Sequence, residues 1–191
     1  MPEAQAPALA VPAVELVVDA RTRLRPWRAQ DRDALLRHAN DEQVSRGLRD
    51  RFPYPYTAQD AERFLGGQVL DPREPAFAIE IDGEASGGIG AHPGADVERH
   101  SAEIGYWLGR AHWGQGHMSR VLAVFAPWAM RTLALHRLWA KVYANNPASA
   151  RVLEKNGFEF EGRMRCAIVK RGELLDALLY ARTRRSLDDA P

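Results

Sequence analysis

Cysteine is almost absent from this 191-residue chain, Cys166 standing alone. One thiol forms no internal disulfide and no Cys-type metal site, which suits a reducing cytoplasm and leaves Cys166 to be read as a packing residue. An excess of one charge is missing too: 26 Lys and Arg face 25 Asp and Glu, for a formal net charge of +1. No global field then draws the chain to nucleic acid or membrane, so any anion site has to be local. No stretch approaches the ~18 apolar residues needed to cross a bilayer. The opening "MPEAQAPALAVPAV" lacks the basic start and unbroken apolar core of a signal peptide, and residues 1–14 read as a disordered lead-in. Without internal repeats or low-complexity linkers, 15–185 reads as one domain followed by a short tail, 186–191. Nothing in the sequence decides between a monomer and a homodimer.

What is present is an ordinary globular composition, 46% hydrophobic and 27% charged, long enough to bury a core without staples. "LVVDARTRLRPW" predicts a first strand or hairpin ending at Pro26. Asp31 to His38 has helical composition. Thr57 to Asp60 forms a capping-box-like start for a helix to about Leu70, and the "LRDRFPYPYT" before it, with its prolines, is a loop. "AFAIEIDGEASGGIGAH" alternates on both sides of Asp82-Gly83, the signature of a type I′ hairpin. "SAEIGYWL" is the next strand. Val121, Leu122, Val124, Phe125, Trp128, Ala129 and Leu133 then recur at a helical period, with Pro127 inside expected to remove a hydrogen bond and kink the helix. "RLWAKVYA" has strand composition. Asn146-Pro147 reads as N-cap and first-turn proline, Gly157 as the glycine ending that helix, and the remainder as two strands around Arg171-Gly172. This order describes an α+β, or mixed α/β, domain with helices packed on a sheet.

The stretch "YWLGRAHWGQGHMSR", residues 106–120, places Gly114 and Gly116 between a strand and a helix. The first amides of a helix lack partners and sit at the positive end of its dipole, so such a turn can cradle an anion. It can also be a plain connection without a ligand. A P-loop is excluded because its G-x-x-x-x-G-K-[ST] spacing is absent, and a dinucleotide fingerprint because position 119 is Ser rather than Gly.

"EIGYWLGRAHWGQGHMSRVLAVF", followed by "ANNPASARVLEKNGFEFEGR", resembles the GNAT N-acetyltransferases and, within them, the Rim-type branch that acetylates N-terminal amines of ribosomal proteins. The resemblance runs from about Thr22 to Arg182 and is densest from Glu103 to Arg163. It implies a mostly antiparallel twisted sheet of about seven strands flanked by about four helices, with acetyl-CoA as co-substrate and no metal. It implies that the backbone of Trp107 and Leu108 holds the pantetheine and that the turn and first helical residues hold the pyrophosphate, here Trp113, Gly114, Gln115, Gly116, His117, Met118 and Ser119. The family's pattern has Arg or Gln where this chain has Trp113, and Gly or Ala where it has Met118. The role therefore rests on backbone, with His117 or Arg120 left to restore charge. Asn146 is a helix N-cap, a pantetheine partner, or both. Ser149 is a polar first-turn residue or the proton donor to the departing thiolate.

The acceptor must lose a proton before it attacks. At pH 7 this costs about 1.4 kcal/mol for an α-amine and about 4.6 for a lysine, so an N-terminal substrate needs only a weak base. Glu103 is the candidate, directly or through a water, with a surface strand carboxylate as the plain alternative; His92 and His112, read as loop residues, are weaker. The acceptor pocket is expected from "NDEQVSRGLRDRFPYPYT" and the final hairpin, with Asp41, Glu42 and Asp50 attracting an amine and Tyr54 and Tyr56 packing beside it. Arg46, Arg49 and Arg51 nearly cancel that charge. The expected function is acetyl transfer to a protein N-terminus or to a small amine such as an antibiotic or polyamine; the competing class is a non-catalytic acyl-CoA-binding module.

Overall fold

A computed structural model describes residues 14–69 and 74–184. Of the lead-in expected over residues 1–14, residues 1–13 lie outside them, as does the tail 186–191, while Val14 packs against the main core. One eight-stranded sheet runs through the domain in the order β1-β2-β3-β4-β5-β6-β8-β7. Its strands are β1 (Leu16–Val17), β2 (Thr22–Arg25), β3 (Ala76–Ile81), β4 (Glu84–Pro93), β5 (Ser101–Leu108), β6 (Arg137–Tyr143), β7 (Glu159–Lys170) and β8 (Glu173–Thr183). The helices are α1 (Arg32–Ala39), α2 (Glu42–Arg46), α3 (Ala58–Leu65), α4 (His117–Thr132) and α5 (Pro147–Glu154). The mixed α/β fold holds as expected, with slightly more elements. The additions are the two-residue β1 and the five-residue α2, whose N-terminus is capped by the Asp41 side chain.

Asp82 and Gly83 both adopt positive φ between β3 and β4, as the type I′ turn requires. Residues 171 and 172 do the same between β7 and β8. Thr57 and Asp60 form the expected capping box, yet α3 stops at Leu65, five residues before the expected end. Gly66 and Gly67 end it, Gly66 donating to the Glu62 carbonyl and Gly67 turning left-handed. α4 runs through Pro127 as one helix of 16 residues. Cys166 is exposed rather than packed. Between the pairs Met164↔Ala177 and Ile168↔Leu175 the edge strand β7 bulges, Cys166 takes a φ of 53°, and its amide donates to Asp176.

Every neighbouring strand pair is antiparallel except β5 and β6, which run parallel only over Ser101↔Arg137, Ala102↔Leu138 and Glu103↔Trp139. β5 continues to Leu108 and β6 to Tyr143 without pairing to each other, so the two strands splay towards their C-terminal ends. Alternation along β5 then divides its side chains. Ala102, Ile104, Tyr106 and Leu108 join the main core under α4 and α5, while Trp107 joins a second cluster with Leu35, Tyr56 and Phe64 from the side of α1 and α3. Beneath α1, Arg25 is buried with its guanidinium forked onto Asp31 at 2.8 Å on both oxygens and its Nε on Glu80 at 2.5 Å. No helix among the described residues is long and apolar enough to cross a membrane.

Candidate active site

Both helices that follow the splayed strands begin at the open end of the splay. At α4, Gly114 and Gly116 take φ of 74° and 76°, a conformation open to glycine at little cost. The first intrahelical bond is Arg120 N–H to the Gly116 carbonyl, and no side chain caps the helix, which leaves the amides of His117, Met118 and Ser119 outside the α-helical ladder. A Cβ on Gly116 would stand 3.0 Å from Arg120 Nη1, so that guanidinium leans over the turn. It also donates to the Gln115 carbonyl and pairs with Asp19 at 2.7 Å.

The side chains here do what the departures from the family pattern demand. Met118 is buried in the main core and points away from the turn. The half-exposed Trp113 folds back so that its indole N–H donates to the Leu108 carbonyl at 2.7 Å. His117 supplies no charge: it is buried with Nδ1 3.2 Å from Thr22 Oγ1, and burial, aided by the Arg120 cation, holds its pKa below the ordinary value. Arg120 is the cation of this turn.

At α5, Asn146 Oδ1 accepts from the Ser149 amide at 3.2 Å, so the N-cap role is present and only the amide nitrogen is left to donate. Ser149 Oγ lies 2.8 Å from the phenol oxygen of Tyr106. Burial pushes the Tyr106 pKa up to about 12, keeping it a hydroxyl at neutral pH. Sequence reading passed over Tyr106; its signal is the alternation of "EIGYWL", which sends it to the opposite face from Trp107.

On the α1 and α3 side lies a cleft of about 750 Å³ between residues 47–56 and strands β4, β5 and β6. Glu103 lines it and accepts from Arg49. Its cross-strand neighbour is His92, which sits in β4 rather than in a loop. His92 Nδ1 is 2.6 Å from Glu74 and Nε2 3.2 Å from Arg51; since arginine only donates, Nε2 presents its lone pair and Nδ1 carries the proton. His112 lies outside the cleft, in a 3-10 turn beside His38 and His117, and burial together with those two rings lowers its pKa. Of the loop residues expected around the acceptor, Asp50 and Tyr56 line the cleft. Asp41 and Glu42 are engaged elsewhere, by Arg110 and Arg171, and Tyr54 lies outside beneath Arg171. The final hairpin contributes Ile168. Among the described residues no cluster of three or more His, Cys, Asp or Glu could hold a metal ion.

This arrangement, a parallel splay with a glycine turn at one helix and a hydroxyl pair at the next, is matched by a known family. Residues 21–159 match the acetyltransferase (GNAT) domain. The chain is 30% identical over 179 residues to an uncharacterized N-acetyltransferase, p20, of Bacillus licheniformis, covering 90% of this chain and 98% of that one. It is 38% identical over 82 residues to the ribosomal-protein-serine acetyltransferase of Escherichia coli K12, 43% of this chain and 46% of that one. Among solved structures, RimL, a ribosomal L7/L12 alpha-N-protein acetyltransferase in complex with coenzyme A, superposes with a TM-score of 0.79 at 26% identity, covering 89% of this chain and 98% of that one.

The chain belongs to the GNAT acetyltransferase family. Ribosomal-protein acetyltransferases among its relatives support a Rim-like branch within it, and its activity is that of an N-acetyltransferase.

Proposed function

We propose that this enzyme acetylates the α-amine of a peptide or protein N-terminus by direct transfer. The observation that carries the reading is the meeting at the β5–β6 splay of the Tyr106–Ser149 hydroxyl pair, the glycine turn of α4 and a cleft lined by Glu103 and His92. The fit to acetyl-CoA rests on that turn: the amides of His117, Met118 and Ser119 beside Gly114 and Gly116 would hold the pyrophosphate with Arg120 as counter-charge. The backbone of Trp107 and Leu108, on the stretch of β5 that does not pair with β6, and the Asn146 amide would hold the pantetheine arm. The donor supplies a thioester whose acyl carbon gains a C–N bond as its C–S bond breaks.

The protein's own contribution is positioning and two proton movements. Glu103 takes the ammonium proton, directly or through a water, from an amine that titrates near 7.7–8.0. Arg49 holds that carboxylate until a cationic substrate competes for it, and His92 stands beside it with its Nε2 lone pair taken by Arg51. Ser149 gives its proton to the sulfur, and the second proton, shed by the nitrogen as the amide forms, restores the serine hydroxyl. A thiol titrates near 8.5, so this acid assists rather than decides, and most of the acceleration comes from orientation, for which ~7–11 kcal/mol is attainable. A cytoplasmic setting suits both the single exposed thiol and a ribosomal-type substrate.

The test combines a thermal-shift titration with acetyl-CoA and measurement of free CoA thiol released across peptides with free N-termini and small amines. A raised midpoint and peptide-dependent release are expected. Stabilisation by acetyl-CoA with no release from any amine would make the protein a binding module, and release with small amines alone would reassign the acceptor.

A further inference from the structure

Glycines crowd the two central strands, and most have a steric reason. A Cβ on Gly87 would lie 2.5 Å from the Trp107 carbonyl, one on Gly88 2.7 Å from Trp107 Nε1, and one on Gly90 2.9 Å from the Pro75 carbonyl. Gly105 is different. It is the exposed residue of β5, in the middle of the sheet, and its φ lies outside the left-handed region. A Cβ there would meet only His92 Nε2, at the ordinary contact distance of 3.9 Å. The fold alone would accept alanine and gain strand stability from it. A glycine that the protein's own packing does not require, in a strand interior, marks where another molecule approaches the backbone.

Gly105 has Glu103 and His92 on one side along the strand and Trp107 on the other, and it sits where β5 leaves β6. Beyond it rises an aromatic wall. Trp107 and Trp27 lie parallel within 9° at 6.5 Å, Phe52 meets Trp107 at 5.3 Å, and Phe64 meets Trp27 at 5.1 Å. All four rings border the cleft and none is fully buried, so the wall presents apolar surface that a ligand would cover. The charges of the cleft do not favour a polycation: Arg49, Arg51, Arg63 and Lys141 outnumber Asp50, Asp60 and Glu103.

Resting on the acetyl-transfer reading, we propose that the reacting end of the acceptor lies flat on Gly105, and that the acceptor is an α-amine flanked by a bulky apolar or aromatic side chain that packs on Trp27, Phe52 and Trp107. Gly105 is thereby a specificity residue, and a polyamine is a poor substrate.

The experiment compares the wild type with Gly105→Ala and Phe52→Ala on peptides that differ only in beginning with Phe, Leu, Ser or Ala. It reads CoA thiol release, peptide binding by calorimetry, acetyl-CoA affinity and melting temperature. One methyl group in a specificity pocket is worth about tenfold or more in kcat/KM, and that loss is expected for Gly105→Ala, with acetyl-CoA affinity unchanged and the melting temperature not lowered. The wild type should prefer the Phe and Leu peptides in both binding and turnover, and Phe52→Ala should erase the preference. Unaltered peptide binding and turnover in Gly105→Ala, or Ser and Ala peptides used as well as Phe and Leu, would overturn the proposal while leaving acetyl transfer intact. Failure to bind acetyl-CoA at all would remove both.

Discussion

Replacing Tyr106 by Phe isolates the hydroxyl pair at the splay. The substitution keeps the ring, which packs against the main core, and deletes the one phenol oxygen 2.8 Å from Ser149 Oγ. Because burial pushes the phenol to about 12, it stays protonated through the working range. One hydroxyl can then donate to the other, and a phenol donating to Ser149 leaves the serine proton free to go to sulfur. A net hydrogen bond of about 0.5–1.5 kcal/mol corresponds to roughly a 2- to 13-fold fall in kcat if the bond serves only to orient Ser149. Ser149→Ala removes the proposed acid and should cost more, towards the lower end of the roughly 10²–10⁴ typical of general acids, since thiolate leaves readily. The KM for acetyl-CoA should change little in either variant. The double variant should be no slower than Ser149→Ala alone, because Tyr106 acts through the serine. Steady-state release of CoA thiol under saturating donor supplies all four corners of this cycle. Multiplicative losses in the double variant, or a Tyr106→Phe enzyme as fast as wild type, would refute the relay.

Gly116→Asp places a carboxylate at the α4 turn and forces a side chain onto a φ of 76°; acetyl-CoA affinity should fall at least about tenfold by calorimetry, with Gly116→Ala separating backbone strain from charge. Asp31→Ala should lower stability by about 3–5 kcal/mol in urea unfolding, because it leaves the buried Arg25 guanidinium without its fork. His117 and His112 both titrate below their ordinary value in the fold, so the unfolded chain takes up protons first as the pH drops. Stability from these rings is complete above pH ~6.5 and is lost below it, so the melting temperature should hold near pH 7 and decline on acidification, less steeply in His117→Gln.

The features that were legible in the sequence are those in which one residue type answers one backbone demand. Asp82-Gly83, Asn146-Pro147 and the glycines at 114, 116 and 157 all sit where their conformational preferences place them. α2 escaped because five residues span little more than one helical turn and show no period; Asp41, its cap, was the only local sign. α3 ends short of the expected Leu70 because Gly66-Gly67 stop it, Gly67 at a positive φ. Cys166 and His92 went astray for tertiary reasons: a bulge turns the first outward, and β4 continues far enough to pair the second with Glu103. The glycine turn was visible as a motif. The Tyr106–Ser149 contact was not, since it joins residues on two elements that only the parallel crossover brings together. Gly105 was likewise invisible as a special glycine, because its meaning lies in the empty space above it.

The three paired residues between β5 and β6 have a mechanical consequence. Among the described residues they are the only ladder joining a five-stranded half, β1 to β5, to a three-stranded half, β6, β8 and β7. Beyond Glu103 the amides of β5 that face β6 belong to no ladder, which makes this seam the place where native-state hydrogen exchange should be fastest among the interior strands. On the proposed reading the donor would lie along this seam and supply the missing rungs, so acetyl-CoA should slow exchange there and join the two half-sheets into one cooperative unit.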